Sequence, residues 1–245
     1  MAKILFIGET WVKHILHQKG FDSFSSTHYE FGASRLFEVL NTHEITHIPA
    51  HAVEIMFPKS LEDLKEFDVV FISDVGSNSF LIPNKVFNNG ETIQNPLSMI
   101  VEYVEDGGSL AMMGGYMSFS GIDAKARYGQ TVLDKVLPVE CLNVDDRVET
   151  PEGIHPEVVK PSHALFNQIS GPWPTFLGYN RTVAKAEAEV LATIGESPFV
   201  VVAPYKKGKS LAFTSDCSPH WGSQEFLDWY GYAVFWNNVI EFLSS

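Results

Sequence analysis

Two short stretches carry side chains able to move protons or attack a carbonyl. Gly114-Gly115-Tyr116-Met117-Ser118 follows an apolar run at 109–113, and Asp216-Cys217-Ser218-Pro219-His220-Trp221-Gly222 follows another at 210–215. Glycines at the exit of a buried strand permit a sharp turn that lifts the next side chain above the sheet and aligns backbone N–H groups toward an oxyanion. Ser118 is then a candidate nucleophile and Tyr116 a candidate catalytic or ligand-binding phenol, although serine also serves commonly as a turn or helix cap. His220 is the proton carrier of the second stretch, because imidazole exchanges a proton near neutral pH and needs an acceptor to orient it, a role open to Asp216 or Glu9. Cys217 reads as a packing residue.

Other strand exits bear polar groups where an open parallel sheet gathers ligands. Glu9 and Trp11 follow the first apolar run and pair a carboxylate with an aromatic face, which suits a sugar or another polar ligand. Asp74, Ser77 and Asn78 follow the run at 67–73, and their short side chains suit either a ligand or a tight loop. Gly114, Gly115, Asp216 and Trp221 complete the expected binding set, beside His220, Ser118 and Tyr116 as the expected catalytic set. No metal is expected. His14 and His17 share one side of a turn if their segment is helical, but no neighbour completes a ligand set, and Asp145, Asp146, His155 and His163 read as solvated. Gly8-Glu9-Thr10 lacks the glycines and terminal Lys-Ser/Thr of a phosphate cradle, and no cofactor is expected.

The elements that must position these groups follow from hydrophobic periodicity. Nearly continuous apolar runs at 3–8, 67–73 and 109–113 predict strands covered on both faces, as parallel strands are. A helix around 31–40 between 3–8 and a strand at 44–48 makes one β-α-β unit, and a proline-started helix runs from Pro96 to the glycine stop at Gly107-Gly108. A long loop is expected from Val75 to about Thr92, a helix at 128–136, and mixed, acidic chain at 139–148. Pro151, Pro156, Pro161, Pro172 and Pro174 interrupt the next stretch of chain, which predicts an irregular insertion around 145–185 able to cover the site. Strands at 190–194, 199–203 and 210–215, the last two joined through Gly208, predict an antiparallel C-terminal hairpin, and an aromatic helix at about 224–243 should seal one sheet face.

Composition narrows the function. The 245 residues are 45% hydrophobic and 19% charged, which fits one domain over 1–245 with a sizeable core. Thirty acidic against seventeen basic side chains give a net charge of -13, a field that repels nucleic acid and anionic membranes. Two distant cysteines form neither a disulfide framework nor a metal knuckle and read as reduced thiols. The first apolar run is too short for a secretion signal, and no segment approaches about 20 uninterrupted apolar residues, so a cytoplasmic location is expected.

On its glycine-rich turn followed by an aromatic and a serine, the chain resembles the class I glutamine amidotransferase-like superfamily. Within that superfamily it looks like a family of unassigned activity, over almost its whole length. Active members of the superfamily use a G-x-C-x-G elbow for their cysteine nucleophile, and a late histidine followed two residues on by a glutamate. Here Tyr116 stands at the cysteine position, His220 at the histidine and Gly222 at the glutamate. A phenol of ordinary pKa near 10 stays protonated where a thiolate is needed, so the resemblance implies the fold and the place of the site but disfavours glutaminase activity. Pattern and resemblance together predict a flavodoxin-like three-layer α/β sandwich with a mainly parallel sheet, binding or hydrolysing a small polar metabolite at its strand ends. The alternatives are a noncatalytic carbohydrate or metabolite sensor and a structural subunit of a complex, with a homo-oligomer left open.

Overall fold

The computed structural model describes residues 1–245. Strand β1 (Lys3–Gly8) runs directly into a long hairpin, β2 (Thr10–Lys19) and β3 (Asp22–Phe31), before α1 (Ser34–Val39) and β4 (Glu44–Ile48) complete the first β-α-β unit. The chain continues through α2 (Val53–Met56), α3 (Leu61–Leu64), β5 (Val69–Ser73), α4 (Asn78–Leu81), α5 (Asn84–Phe87), α6 (Pro96–Glu105) and β6 (Ser109–Met113). After β6 the strands are β7 (Val139–Cys141), β8 (Arg147–Ile154), β9 (Pro156–Val158), β10 (Phe176–Asn180), β11 (Thr182–Ala184), β12 (Glu189–Ile194), β13 (Ser197–Tyr205) and β14 (Gly208–Phe213). Helices α7 (Gln224–Asp228) and α8 (Tyr230–Leu243) end the chain.

One eight-stranded sheet, ordered β4-β1-β5-β6-β14-β13-β12-β9, carries the fold. Its first five strands are parallel, and β13, β12 and β9 extend it antiparallel, with β13 and β14 forming the C-terminal hairpin expected from the sequence. Successive strand residues point to opposite faces, so each apolar run fills two cores at once. Phe6, Phe71, Met113 and Phe213 pack under α1 and α8, whereas Leu5, Ile7, Val70, Ile72 and Met112 pack against α6. This is a flavodoxin-like three-layer α/β sandwich. Asn95 caps α6 by accepting from the Leu97 N–H, with Pro96 in the first turn where its missing N–H costs nothing. No helix is long and apolar enough to cross a membrane.

Several expected elements differ. The segment carrying His14 and His17 is β2, not a helical turn, and odd spacing along a strand puts the two rings on opposite faces. The loop after Val75 contains α4 and α5, and 128–136 forms two short 3-10 turns in place of a helix. The region expected to be irregular is built of short strands: β8 pairs with β10, β7 with β11, and β9 closes the sheet edge. The final helix breaks at Trp229, whose extended backbone (ψ 135°) lets its indole pack 5.1 Å from the ring of Trp173. No proline marks that break, so tertiary packing overrides the helical pattern.

The chain leaves β1 for β4 on one side and later returns to β5 on the other, so the carboxyl ends of β1 and β5 form the crevice where such sheets bind ligands. Gly8 closes this exit with φ +108°, and a Cβ there would lie 1.8 Å from the Ser73 carbonyl oxygen. Gly20, at the hairpin tip with φ +62°, has nothing within 4 Å. Gly8→Ala is therefore expected to cost more than about 3 kcal/mol in denaturant unfolding, and Gly20→Ala only about 1 kcal/mol from backbone strain. Equal losses in the two variants would contradict the close approach of β1 and β5.

Candidate functional site

A cavity of about 850 Å³ opens at these strand ends, lined by Trp11, Lys13, Glu30 and Phe31 from the hairpin, Gly32, Ser34 and Arg35 at the start of α1, and Asp74, Tyr116, Asp216, Pro219 and His220. Glu9 lies directly beneath it, fully buried. The exits themselves are strained: Glu9 has φ +51°, Asp74 φ +44° and His220 φ +140°, values that non-glycine residues rarely hold unless the surroundings enforce them.

Three carboxyl groups meet here. Carboxylate oxygens of Glu9 and Asp216 lie within 4.8 Å of one another and of the Cys217 sulfur. Glu9 Oε1 accepts from the Ser73 hydroxyl at 2.6 Å, and the Ser218 Oγ stands 2.9 Å from both Glu9 Oε2 and Asp216 Oδ1. A serine hydroxyl has one proton and can donate to only one of these oxygens, so satisfying both contacts requires a carboxyl proton donated back to Ser218. Electrostatics points the same way. Burial, then the charges of Asp216 and Asp74, push the Glu9 pKa well above the ordinary range, and burial followed by Asp74 does the same to Asp216. Burial also raises Asp74, against hydrogen bonds from the Met117 and Tyr116 N–H groups.

Those last contacts decide what the glycine turn can do. Gly115 has φ +144°, and a Cβ there would sit 2.8 Å from Asp74 Oδ1, so only glycine lets the turn close over this carboxylate. The Met117 N–H donates to Asp74 Oδ1 at 2.7 Å, the Gly115 N–H donates to Asn180 Oδ1, and Ser118 Oγ accepts from the Asp74 N–H. The N–H groups that an oxyanion hole would aim at substrate are thus taken by Asp74 and Asn180. Ser118 is completely buried behind Asp74 and does not line the cavity.

Tyr116 and His220 do converge. Their rings meet edge to face at 4.4 Å, and His220 stacks on Trp221. The Tyr116 hydroxyl and the Trp221 indole N–H both donate to Glu149, and the Arg147 guanidinium lies 4.5 Å over the Tyr116 ring. Burial, followed by Glu149, raises the Tyr116 pKa. His220 Nδ1 is 3.5 Å from Asp216 Oδ2, with the imidazole 40% exposed. Burial lowers the His220 pKa against the pull of Glu149, Asp74 and Glu9, which leaves a neutral ring ready to accept a proton.

Of the other residues singled out in the sequence, Trp11 lines the cavity, Gly114 is buried beneath the turn, and Trp221 is buried behind His220. Ser77 is buried at the start of α4 and Asn78 is exposed on it, both away from the cavity. Asp146, read as solvated, is buried and accepts from the Ser120 and Gly121 N–H groups and the Asn180 side chain, bracing the turn. Sequence reasoning missed Lys13, Glu30, Phe31, Gly32, Ser34 and Arg35 with the hairpin, whose signal was a pair of strand-like runs flanking Gly20. Glu9, Asp216 and Cys217 form the grouping nearest to a metal-ligand set, but burial drives all three toward their protonated forms, and Ser73 and Ser218 already engage both Glu9 oxygens.

The fold and the strand-end site together define a class I amidotransferase-like protein. The chain belongs to this superfamily: residues 3–245 match the family described as "Putative glutamine amidotransferase". Among solved structures, Cytoplasmic Protein STM3548 from Salmonella typhimurium is 50% identical, with a TM-score of 0.95 over 98% of each chain. Cytoplasmic Protein STM1381 from Salmonella typhimurium LT2 is 48% identical, with a TM-score of 0.95 over 99% of this chain and 100% of that one. The mmIFT52 N-terminal domain, 13% identical with a TM-score of 0.61 over 100% of this chain and 98% of that one, shares the fold alone. No curated protein matches the chain.

Because folding raises the carboxyl pKa values of Glu9, Asp74 and Asp216, the folded state binds more protons than the unfolded chain. Their contribution to stability is full below the ordinary carboxyl range near pH ~4 and is lost as pH rises through the shifted values. Glu9→Gln is expected to flatten the fall of Tm between pH 5 and pH 8 and to raise Tm at pH 8 by about 2–4 °C, what roughly 1 kcal/mol amounts to in a chain of this size. Exposed Glu38→Gln serves as the control. A Glu9→Gln curve parallel to the parent at every pH would contradict the shared-proton account.

Proposed function

We propose that the chain binds a small polar metabolite in the strand-end cavity and acts on it by proton transfer at His220, in a hydrolytic step rather than by glutaminase chemistry. The observation that carries this reading is the contact chain His220–Asp216–Ser218–Glu9, which joins an exposed imidazole at the cavity to a buried acid pair. His220 takes the proton from water or a substrate hydroxyl, and Asp216, 3.5 Å from Nδ1, orients the ring. Trp11 and Tyr116 supply flat faces to the C–H side of a polyol, while Lys13, Glu30 and Arg35 supply hydrogen-bonding groups around it.

Thiolate chemistry is disfavoured at each available position. Tyr116 replaces the cysteine and its hydroxyl is held by Glu149. The Cys217 and Cys141 thiols are both pushed up by burial, and neither lines the cavity. The names of the two Salmonella relatives support a cytoplasmic location for this chain. Its net charge of -13 argues against a nucleic acid ligand.

A second reading, a noncatalytic metabolite sensor, is favoured by one observation: Asp74 occupies the turn N–H groups that acyl transfer would need. A panel of polar metabolites screened for both binding and conversion separates the two. For a converted compound, His220→Ala is expected to lower kcat by about 100-fold or more, the usual weight of general base catalysis, with little change in affinity. Unchanged turnover in that variant would remove the proposed proton transfer, and saturable binding without conversion by the parent protein would select the sensor.

A further inference from the structure

The β2–β3 hairpin is paired over ten residues on each strand and joins no third strand. Its root is anchored, with the Ala50 N–H donating to Thr10 Oγ1 at 2.8 Å and the Tyr29 ring meeting His51 edge to face at 5.6 Å. From residue 13 to residue 28, its side-chain hydrogen bonds, ion pairs and ring contacts all lie within the hairpin itself. An isolated two-stranded ribbon is marginal at best in water. This one nevertheless exposes large apolar groups: Leu16 is 69% exposed, Phe24 51%, Tyr29 54% and Phe21, at the tip, fully.

Strand alternation divides these groups. Trp11, Lys13, Ile15 and His17 share one face with their partners Glu30 and Phe24, and the root of that face lines the cavity. Val12, Leu16 and Tyr29 share the other. That second face lies on the side of the arm that meets Ala50–Ala52, the segment leading directly into α2. There α2 exposes Ile55 and Met56, and the neighbouring α5, tied to α2 by Asn84 donating to Glu54, exposes Phe87. One side of the molecule thus carries both an apolar arm and an apolar patch beside its root.

Charge is divided the same way. Within 10–31, Lys13 and Lys19 balance Asp22 and Glu30, so the whole net charge of -13 belongs to the rest of the chain. The arm is therefore neutral overall and brings no net like charge against the acidic body of another copy. Ten-residue strands make a ribbon about 33 Å long and roughly 10 Å wide. Two arms, each covering an equal area of its partner, would bury roughly 1,300 Å² in total, within the range of stable specific interfaces.

We infer that the hairpin is a dimerisation arm: the Val12–Leu16–Tyr29 face and the Phe21 tip of one copy pack on the Ile55–Met56–Phe87 patch of a second, and the reverse contact closes a twofold pair. This goes beyond the metabolite reading and does not depend on it. Sedimentation equilibrium on the full chain tests it. The parent protein is expected to run at twice its 27.3 kDa at ~10 µM. The double variant Leu16→Glu/Phe21→Ser and the patch variant Ile55→Glu/Phe87→Ser are each expected to weaken the dimer by about 100-fold or more. Far-UV circular dichroism should stay unchanged, because the altered side chains are exposed in the single chain. A monomeric parent, a dimer indifferent to the arm variant, or one indifferent to the patch variant would each overturn the assignment.

Discussion

Glu9, Asp74 and Asp216 follow the exits of β1, β5 and β14, where burial and mutual repulsion disfavour three negative charges. No lysine or arginine lies within ion-pair distance of them; the nearest basic group is His220, 3.5 Å from Asp216. Coulomb repulsion grows as water is excluded, so the inexpensive solution is to keep protons on the cluster. Ser218 makes this concrete, because its single hydroxyl proton cannot serve the two carboxyl oxygens it touches. The rest of the site follows from that constraint. His220 borders a group that can give or take a proton, and the cavity above it ends on an acid floor.

The fold keeps this arrangement in place by enforcing unfavourable local geometry. Glu9 and Asp74 leave adjacent parallel strands in left-handed conformations, and Gly8 and Gly115 permit approaches that a Cβ would block. Asp74 then fills the donor nest of the glycine turn, while Asn180 and Asp146, from a different part of the chain, brace its other side. A turn that elsewhere in the superfamily presents a nucleophile here presents a carboxylate and the wall formed by Tyr116.

Much of this was legible in the sequence, for physical reasons that differ by element. Strands buried on both faces leave continuous apolar runs, so β1, β5, β6 and the β13–β14 hairpin could be read directly, and the polar residues at their exits marked the crevice. The β2–β3 arm was not recognised because both of its faces meet solvent, which mixes polar and apolar residues and erases the usual alternation. Asp146, Glu149 and Asn180 gave no signal, since their partners lie 25 to 72 residues away and only the folded chain brings them together. Ser118 looked chemically able in the sequence, and its burial behind Asp74 depends on a neighbouring strand that its local motif does not describe.

Carbon-13 NMR titration of the side-chain carboxyl carbons, assigned through Glu9→Gln and Asp216→Asn, reads the proton count of the cluster directly. The account predicts that the Glu9 and Asp216 carbons titrate well above the ordinary carboxyl range and that removing either acid shifts the other downward. Independent titration of all three groups near pH ~4, as in solvated carboxylates, would contradict it.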